Sequence, residues 1–305
     1  MKFTNEQEFF ESLSSLILKN LQVEVIFVVK DGSIKTIIEK HFTGMGFARI
    51  EIIVQKGENL SSALNEGLQK CRGKYIARID EDDIQIPSRI QSQYLAMNSR
   101  KKLVALGCQS YSFSRSSKDV SLITYPYGAK FLKSCLEYGS YIPHSAVMFK
   151  TDVLKFVGGY SIDFPRAEDW DLWLRIRNFG DLDNLKDFLI LRRLHEEQVS
   201  VLDIDLQFKM ESKIVTNIDL GVYDPRASFK LACLPRKKGS KKKFLKYLLI
   251  ARQKQAKSGK KRNSSIVYFF RQTILKPALI IELTKYSMFR LRFFIQAQRL
   301  KRGVK

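Results

Sequence analysis

The sequence predicts an α/β fold: a mostly parallel central sheet flanked by helices, followed by a basic helical appendage. Three observations predict it. Short β-branched runs alternate with helix-period segments through residue 200, the alternation that builds parallel strands with right-handed crossovers. One apolar run, 75–79, ends in four consecutive acids, Asp80, Glu81, Asp82 and Asp83. From Pro235 onward the composition turns abruptly basic.

Each element has its own signal. Phe9, Phe10, Leu13, Leu16 and Ile17 lie on one helical face of residues 6–19. Residues 23–29 (VEVIFVV) read as a strand ending in the turn Lys30-Asp31-Gly32-Ser33. Residues 34–42 read as a helix and 50–54 as a second strand. Ser61 or Ser62 is a candidate cap for a helix running to Cys71, with Ala63, Leu64, Gly67, Leu68 and Cys71 facing inward. The strand 75–79 follows, then a helix over 89–99 and a strand over 103–107. Residues 110–128 read as a loop. Leu172, Trp173, Leu174 and Ile176 suggest a helix packed on the core, with Glu168 and Asp169 at its N-terminus, where the dipole favours negative charge.

Composition excludes several classes. The 305 residues hold one large domain, 1–234, and an appendage, 235–305. Cys71, Cys108, Cys135 and Cys233 form no paired motif, which argues against a zinc site or a disulfide framework and fits a reducing cytosol. The first residues contain no apolar stretch of the secretory type, and no run of 18 uncharged apolar residues exists to span a membrane. Of the net charge of +22, residues 235–305 carry 22 Lys and Arg against the single acid Glu282, leaving 31 basic and 30 acidic groups on the other 234 residues. Such asymmetry points to an anionic partner, membrane or nucleic acid. The basic clusters adjoin aromatic-rich segments such as Tyr247 to Ile250 and Tyr268 to Phe270, a membrane-surface pattern. A solvated basic tail and a nucleic-acid-binding tail are the alternatives, but no zinc-finger, homeodomain or RNP signature is present.

The acidic run carries the chemistry. Four carboxylates at a strand end repel one another unless a cation sits among them. Hard oxygen ligands suit Mg²⁺ or Mn²⁺, which in turn bind phosphate, and ligands of open α/β sheets bind at that edge. The plainer alternative is an acidic surface turn. Context favours the site. The order Asn59, Ala63-Leu64-Asn65, Gly67, then Gly73-Lys74-Tyr75-Ile76-Ala77-Arg78-Ile79-Asp80-Glu81-Asp82-Asp83, then Pro87, Arg89 and Gln93 resembles the family-two glycosyltransferases of the GT-A fold. The nearest likeness is to bacterial enzymes of O-antigen, capsule and exopolysaccharide synthesis. Leu60-Ser61 stands where that family usually has Gly.

The resemblance implies roles residue by residue. Asp31 contacts the nucleotide base, with Lys30 in place of the family's first Asp. Asp80 contacts the ribose and the metal's water, Asp82 ligates the metal, and Asp83 lies beside them; Glu81 faces away by strand alternation. Glu168-Asp169-Trp170-Asp171-Leu172-Trp173-Leu174-Arg175 matches the family's second acidic block, in which Asp169 is the general base and Glu168 and Trp170 lie at or near the acceptor. A capped helix start is the structural alternative. Trp173 is assigned to the core. His144, in Pro143-His144-Ser145, contacts acceptor or donor phosphate, or is simply a packed loop histidine. Arg193 and His195, in Arg193-Leu194-His195-Glu196-Glu197-Gln198, approach the pyrophosphate or the metal. These matches span residues 4–200.

One departure stands out. Members of this family open with a strand before the first helix, and Thr4-Asn5 aligns with the end of that strand. The expectation is therefore a sheet short of one strand. The function that follows is an inverting, metal-dependent glycosyltransferase moving a sugar from a UDP-linked donor to a polyprenyl-linked or polysaccharide acceptor, peripheral on the cytoplasmic face of the cell membrane through 235–305. A truncated, inactive remnant of such an enzyme is the rival reading.

Overall fold

A computed structural model of the chain describes residues 21–44, 46–114, 117–194, 204–220 and 222–223. The helix expected at 6–19, the basic segment 235–305, Cys233 and His195 lie outside the described residues. The chain forms two compact units, Met1–Gln198 and Val199–Lys305.

In the first unit, β1 (Glu24–Val29), α1 (Lys35–Phe42), β2 (Arg49–Val54) and α2 (Leu60–Lys70) alternate as expected. Asp31 caps a 3-10 turn, Gly32–Ile34, ahead of α1. The cap of α2 is Asn59 rather than Ser61 or Ser62: its side chain accepts from the Ser62 N–H at 2.8 Å. Strand β3 (Tyr75–Ala77) is shorter than expected, because the chain leaves the sheet at Arg78 to form the acidic turn. Then follow β4 (Ile84–Gln85), α3 (Arg89–Ser99), β5 (Leu103–Ser114), β6 (Ser117–Ile123), α4 (Ala129–Cys135), β7 (Met148–Lys150), α5 (Thr151–Phe156), α6 (Glu168–Ile176) and β8 (Asp181–Leu194). The second unit contains α7 (Ile204–Leu220).

Two expectations change here. Residues 103–107 are only the start of a 12-residue strand, and most of the expected loop at 110–128 is the rest of that strand plus its hairpin partner β6. The ladder is also mixed rather than mostly parallel. The six-stranded sheet runs β3-β7-β5-β8-β4 with β6 on β5; only β5–β8 is parallel within it. Strand β7 inserts antiparallel between β3 and β5, and β4 pairs antiparallel with β8.

Among the described residues β1 and β2 form a separate parallel pair. Val23 and Val29 give their carbonyls to Ala48 and Gln55 beside β2, so the alternate residues Glu24, Ile26 and Val28 turn their backbone groups to the other edge. Arg78 and Lys74 bond toward β7, so Tyr75 and Ala77 likewise present the outer edge of β3. The two edges begin side by side, since the Glu24 carboxylate accepts from the N–H groups of Arg72 and Gly73 at 2.6 and 2.7 Å.

Buried polar side chains hold the acidic strand end in place. Arg89 is fully buried; its guanidinium donates to the Arg78 carbonyl at 3.0 Å and to the Gln85 side chain at 2.6 Å. Gln93 donates to the carbonyls of Leu106 and Ala146 at 2.7 and 2.8 Å, joining α3 to β5 and to the turn before β7. Its replacement strands two buried acceptors. Gln93→Leu is expected to lower the free energy of unfolding by about 2–4 kcal/mol; urea denaturation followed by circular dichroism measures it, and a loss below about 1 kcal/mol would contradict this bracing role.

Candidate active site

The acidic turn leaves β3 with Asp80, Glu81, Asp82 and Asp83 in close array. The Asp83 N–H bonds back to the Asp80 carbonyl at 3.3 Å. Asp83 is buried, and its carboxylate accepts from the Arg193 backbone N–H of β8 at 3.2 Å. Burial, reinforced by the charges of Asp80 and Asp82, lifts its carboxyl to about 7. Glu81 is half-buried, and burial together with the charge of Asp82 raises its carboxyl to about 7.

Arg78 is the cation of the site. Its guanidinium is buried, with Nη2 on Asp80 Oδ1 at 2.5 Å, while Nε and Nη1 have no hydrogen-bond partner. Burial disfavours its charge, but Asp80, Tyr160 and Glu168 outweigh that and hold it ionised. Arg78 is thus ion-paired to an acid that ends β3 and lies within electrostatic reach of Glu168, which opens α6. In the second group, Glu168 is buried, and burial with the charge of Asp169 raises its carboxyl to about 7. Asp169 is half-exposed. Its Oδ2 accepts from the Ser140 hydroxyl at 2.6 Å, and that hydroxyl oxygen accepts from the Trp173 indole N–H at 3.0 Å. The indole fixes the hydroxyl, and the hydroxyl fixes the carboxylate.

The other candidates are placed less directly. Asp31 is exposed at the end of β1, where both carboxylate oxygens accept from Ser33, lowering its pKa. His144 meets the Tyr160 hydroxyl at 3.0 Å and the edge of Trp173; burial and the nearby Arg78 and Arg192 keep its ring neutral. It is half-buried between these two side chains. Trp170 is only 3% exposed and its indole N–H donates to the Leu136 carbonyl at 2.7 Å, so it offers no face to an acceptor, and that expectation is corrected. Arg193 is buried over the Phe113 ring, its Nε donating to the Asp82 carbonyl at 3.1 Å. It shapes the turn. Its strand neighbour Arg192 is the one whose charge is favoured by Tyr125, Asp83 and Asp80. Alternation along β8 explains the exchange. Sequence reasoning missed Arg192, Ser140 and the role of Arg78; of these only Arg78, inside the acidic motif, carried a signal.

The donor set can be tested against a divalent cation. Among the described residues no three acidic, histidine or cysteine side chains converge as a ligand group. The raised carboxyls of Asp83 and Glu81 nevertheless mark a concentration of negative charge that a cation relieves. Magnesium-type ions use one or two carboxylates and complete their shell with water and substrate phosphate. Asp82 and Asp80 fit that pattern, with phosphate oxygens supplying the remainder.

The chain is similar to known proteins. The family described as Glycosyl transferase family 2 matches residues 3–157. An O-antigen biosynthesis glycosyltransferase, WbnJ, of Escherichia coli is 32% identical over 57% of this chain and 69% of its own length. The amylovoran biosynthesis glycosyltransferase AmsE of Erwinia amylovora is 29% identical over 62% of this chain and 72% of its own. Among solved structures, a mannosyltransferase from Pyrobaculum calidifontis in complex with GDP-Man and Mn²⁺ superposes with a TM-score of 0.51 at 13% identity, covering 93% of this chain and 83% of the other; it speaks to the fold.

The Glu168 carboxyl gives a signed prediction. Its native value of about 7 exceeds the ordinary 4.5, so between those values the native state binds more protons than the unfolded state, and stability from this group falls as pH rises. Glu168→Gln removes that term. Unfolding free energies of the two proteins are expected to diverge from pH 4.5 to pH 8 in favour of the variant, by on the order of 1–3 kcal/mol. A pH-independent difference would refute the buried-acid assignment.

Proposed function

Because the chain belongs to glycosyl transferase family 2, we propose that it is an inverting transferase carrying a sugar from a UDP-linked donor to a lipid-linked or polysaccharide acceptor in cell-surface polysaccharide synthesis. Glycosyl transfer on a GT-A fold is its established activity class. The finer reading is supported by one observation: the acids after β3 and the acids opening α6 share the buried cation Arg78. That arrangement sets a donor-diphosphate side against a proton-accepting side.

Asp169 is the general base. It is the half-exposed member of its pair, and Ser140 holds it in one orientation. It takes the proton of the acceptor hydroxyl as that oxygen bonds to the anomeric carbon. The bond from that carbon to the donor phosphate oxygen breaks in the same displacement, its electron pair leaves with the nucleoside diphosphate, and configuration inverts. Asp82 and Asp80 are the side chains that would hold Mn²⁺ or Mg²⁺, and such an ion would supply charge neutralisation for the diphosphate. Asp31 meets the base. Arg192 adds a cation facing Asp80 and Asp83, suited to phosphate. Glu168 and Asp83 stay beside the chemistry, tuning its charge. The segment 235–305 is assigned to an anionic membrane surface at the cytoplasmic face. Among the described residues no helix is long and apolar enough to cross a membrane.

Calorimetric titration of UDP with and without Mn²⁺ tests the donor site. Binding is expected only with the metal, and Asp82→Ala is expected to abolish it. A folded protein that binds no UDP would favour the inactive-remnant reading. Asp169→Asn separates the base from the donor site. It is expected to leave UDP affinity within about twofold while lowering turnover on the order of 10²–10⁴-fold, read as UDP release across a panel of UDP-sugars with acceptor; loss of UDP binding in that variant would assign Asp169 elsewhere.

A further inference from the structure

Strands β5 and β8 run parallel along the length of the sheet, pairing Leu103 with Asp181 at one end and Phe113 with Arg193 at the other. The acids lie at the Arg193 end, where Asp83 and Asp82 bond to that residue. The opposite end carries a different surface. Among the large apolar side chains exposed in the described residues, only Phe156 and Phe179 are aromatic, 75% and 49% exposed. They meet edge to face with ring centroids 5.2 Å apart. Phe156 ends α5, and Phe179 precedes β8 by two residues.

Several cations lie at the same end of the sheet. Lys155 adjoins Phe156 in sequence, both are exposed, and the Lys155 ammonium donates to the Cys71 carbonyl at 2.7 Å. Gly180, next to Phe179, packs against the backbone of Lys102, whose carbonyl accepts from the Asp181 N–H at 2.7 Å. Lys101 and Lys102 are exposed immediately before β5, and the Lys150 ammonium reaches the Lys101 carbonyl at 2.6 Å. Arg177 precedes Phe179 by two residues. The acids at this end include Asp152, the half-buried Asp181 and the buried Asp183, which is paired with Arg100. Two apolar rings that cover no core, inside a net-positive rim, match the interface of an anionic bilayer: rings enter the headgroup boundary while lysines face lipid phosphate.

We propose that the Phe156–Phe179 patch, with Lys101, Lys102 and Lys155, is a docking surface of the catalytic unit for an anionic lipid bilayer. The ten-residue rise from Leu103 to Phe113 is about 33 Å at ordinary strand spacing. Docked by this patch, the molecule turns its acids away from the headgroups. The acceptor, resting on the glycosyltransferase reading above, is then the outer end of a polysaccharide already several sugars long, and not the first sugar on its lipid.

The test reads contact at the patch itself and needs no transfer activity. The full chain carrying F156W is mixed with vesicles of phosphatidylcholine, alone or with an equal share of phosphatidylglycerol, and with brominated versions of the same lipids. An L194W chain reports from the other end of β8. Trp170 and Trp173, both buried, supply a constant background. The expected result is a blue shift and bromine quenching of the F156W indole on the anionic vesicles only, with the L194W indole unquenched, and at least fivefold weaker vesicle binding for F156S/F179S. A protein that floats with anionic vesicles while the F156W signal stays unchanged overturns the proposal. So does quenching at L194W instead, failure of the full chain to bind anionic vesicles, or self-association in sedimentation that F156S/F179S abolishes. A failed UDP titration would leave this result standing, so the two readings fall separately.

Discussion

The position of the acidic turn depends on a relay of two buried guanidinium groups. Arg89, enclosed in the core, spends one N–H on the Arg78 carbonyl, which fixes the backbone as it leaves β3. Arg78 then spends Nη2 on Asp80. Burial lowers the Arg89 pKa only to about 10, so it remains charged at neutral pH. Burying charge is costly unless it is paired and hydrogen-bonded. Here the two groups are satisfied differently: Arg78 is ion-paired to Asp80, while Arg89 donates to the Arg78 carbonyl and to the side-chain oxygens of Gln85 and Gln93. The backbone that carries the acids is thus held by the same network that holds the cation beside them.

This dependence explains which motif residues do chemistry and which do architecture. The Asn65 side chain accepts from the Tyr160 N–H and donates to the Tyr160 carbonyl, each at 2.8 Å, a backbone-like rung tying α2 to the loop after α5. Gly159 sits at φ 67°, and a Cβ there would collide with the Asn65 amide, so the glycine allows both the turn and the rung. Arg175 closes the same loop, donating to the carbonyls of Val157 and Gly159 and to Asp171. Gln93 and Arg89 brace the other side. These residues make a recognisable pattern because each satisfies backbone groups that no helix or strand ladder reaches.

What could be read from sequence was what local signals determine. The helix at 89–99, the strands of the β1–β2 pair and the acidic start of α6 follow from periodicity and charge within a few residues, and all appear where expected. The full length of β5 could not be read this way. Ser110, Ser112 and Ser114 look like loop residues until β8 and β6 supply their hydrogen bonds from either side. Ser140 gave no signal because its role is to stand between two residues about thirty positions away. Arg192 and Arg193 were separable only by strand facing. Trp170 was expected near the acceptor because it stands beside Asp169 in the motif; its indole N–H is instead satisfied inside by the Leu136 carbonyl, which periodicity cannot foresee.

The raised carboxyls give this arrangement its direction. Asp83, Glu81 and Glu168 all reach about 7 through burial and neighbouring charge, so each makes the native state less stable at neutral pH than an unperturbed carboxyl would. A fold selected only for stability would replace them with neutral side chains of similar volume. Of the three acids, Glu168 shares the field of Arg78, while Asp83 and Glu81 lie in the acidic turn with Asp80 and Asp82. The bracing by Arg89, Gln93, Asn65 and Arg175 offsets that cost at positions removed from the chemistry. The polar bracing that surrounds this local instability is what makes it tolerable.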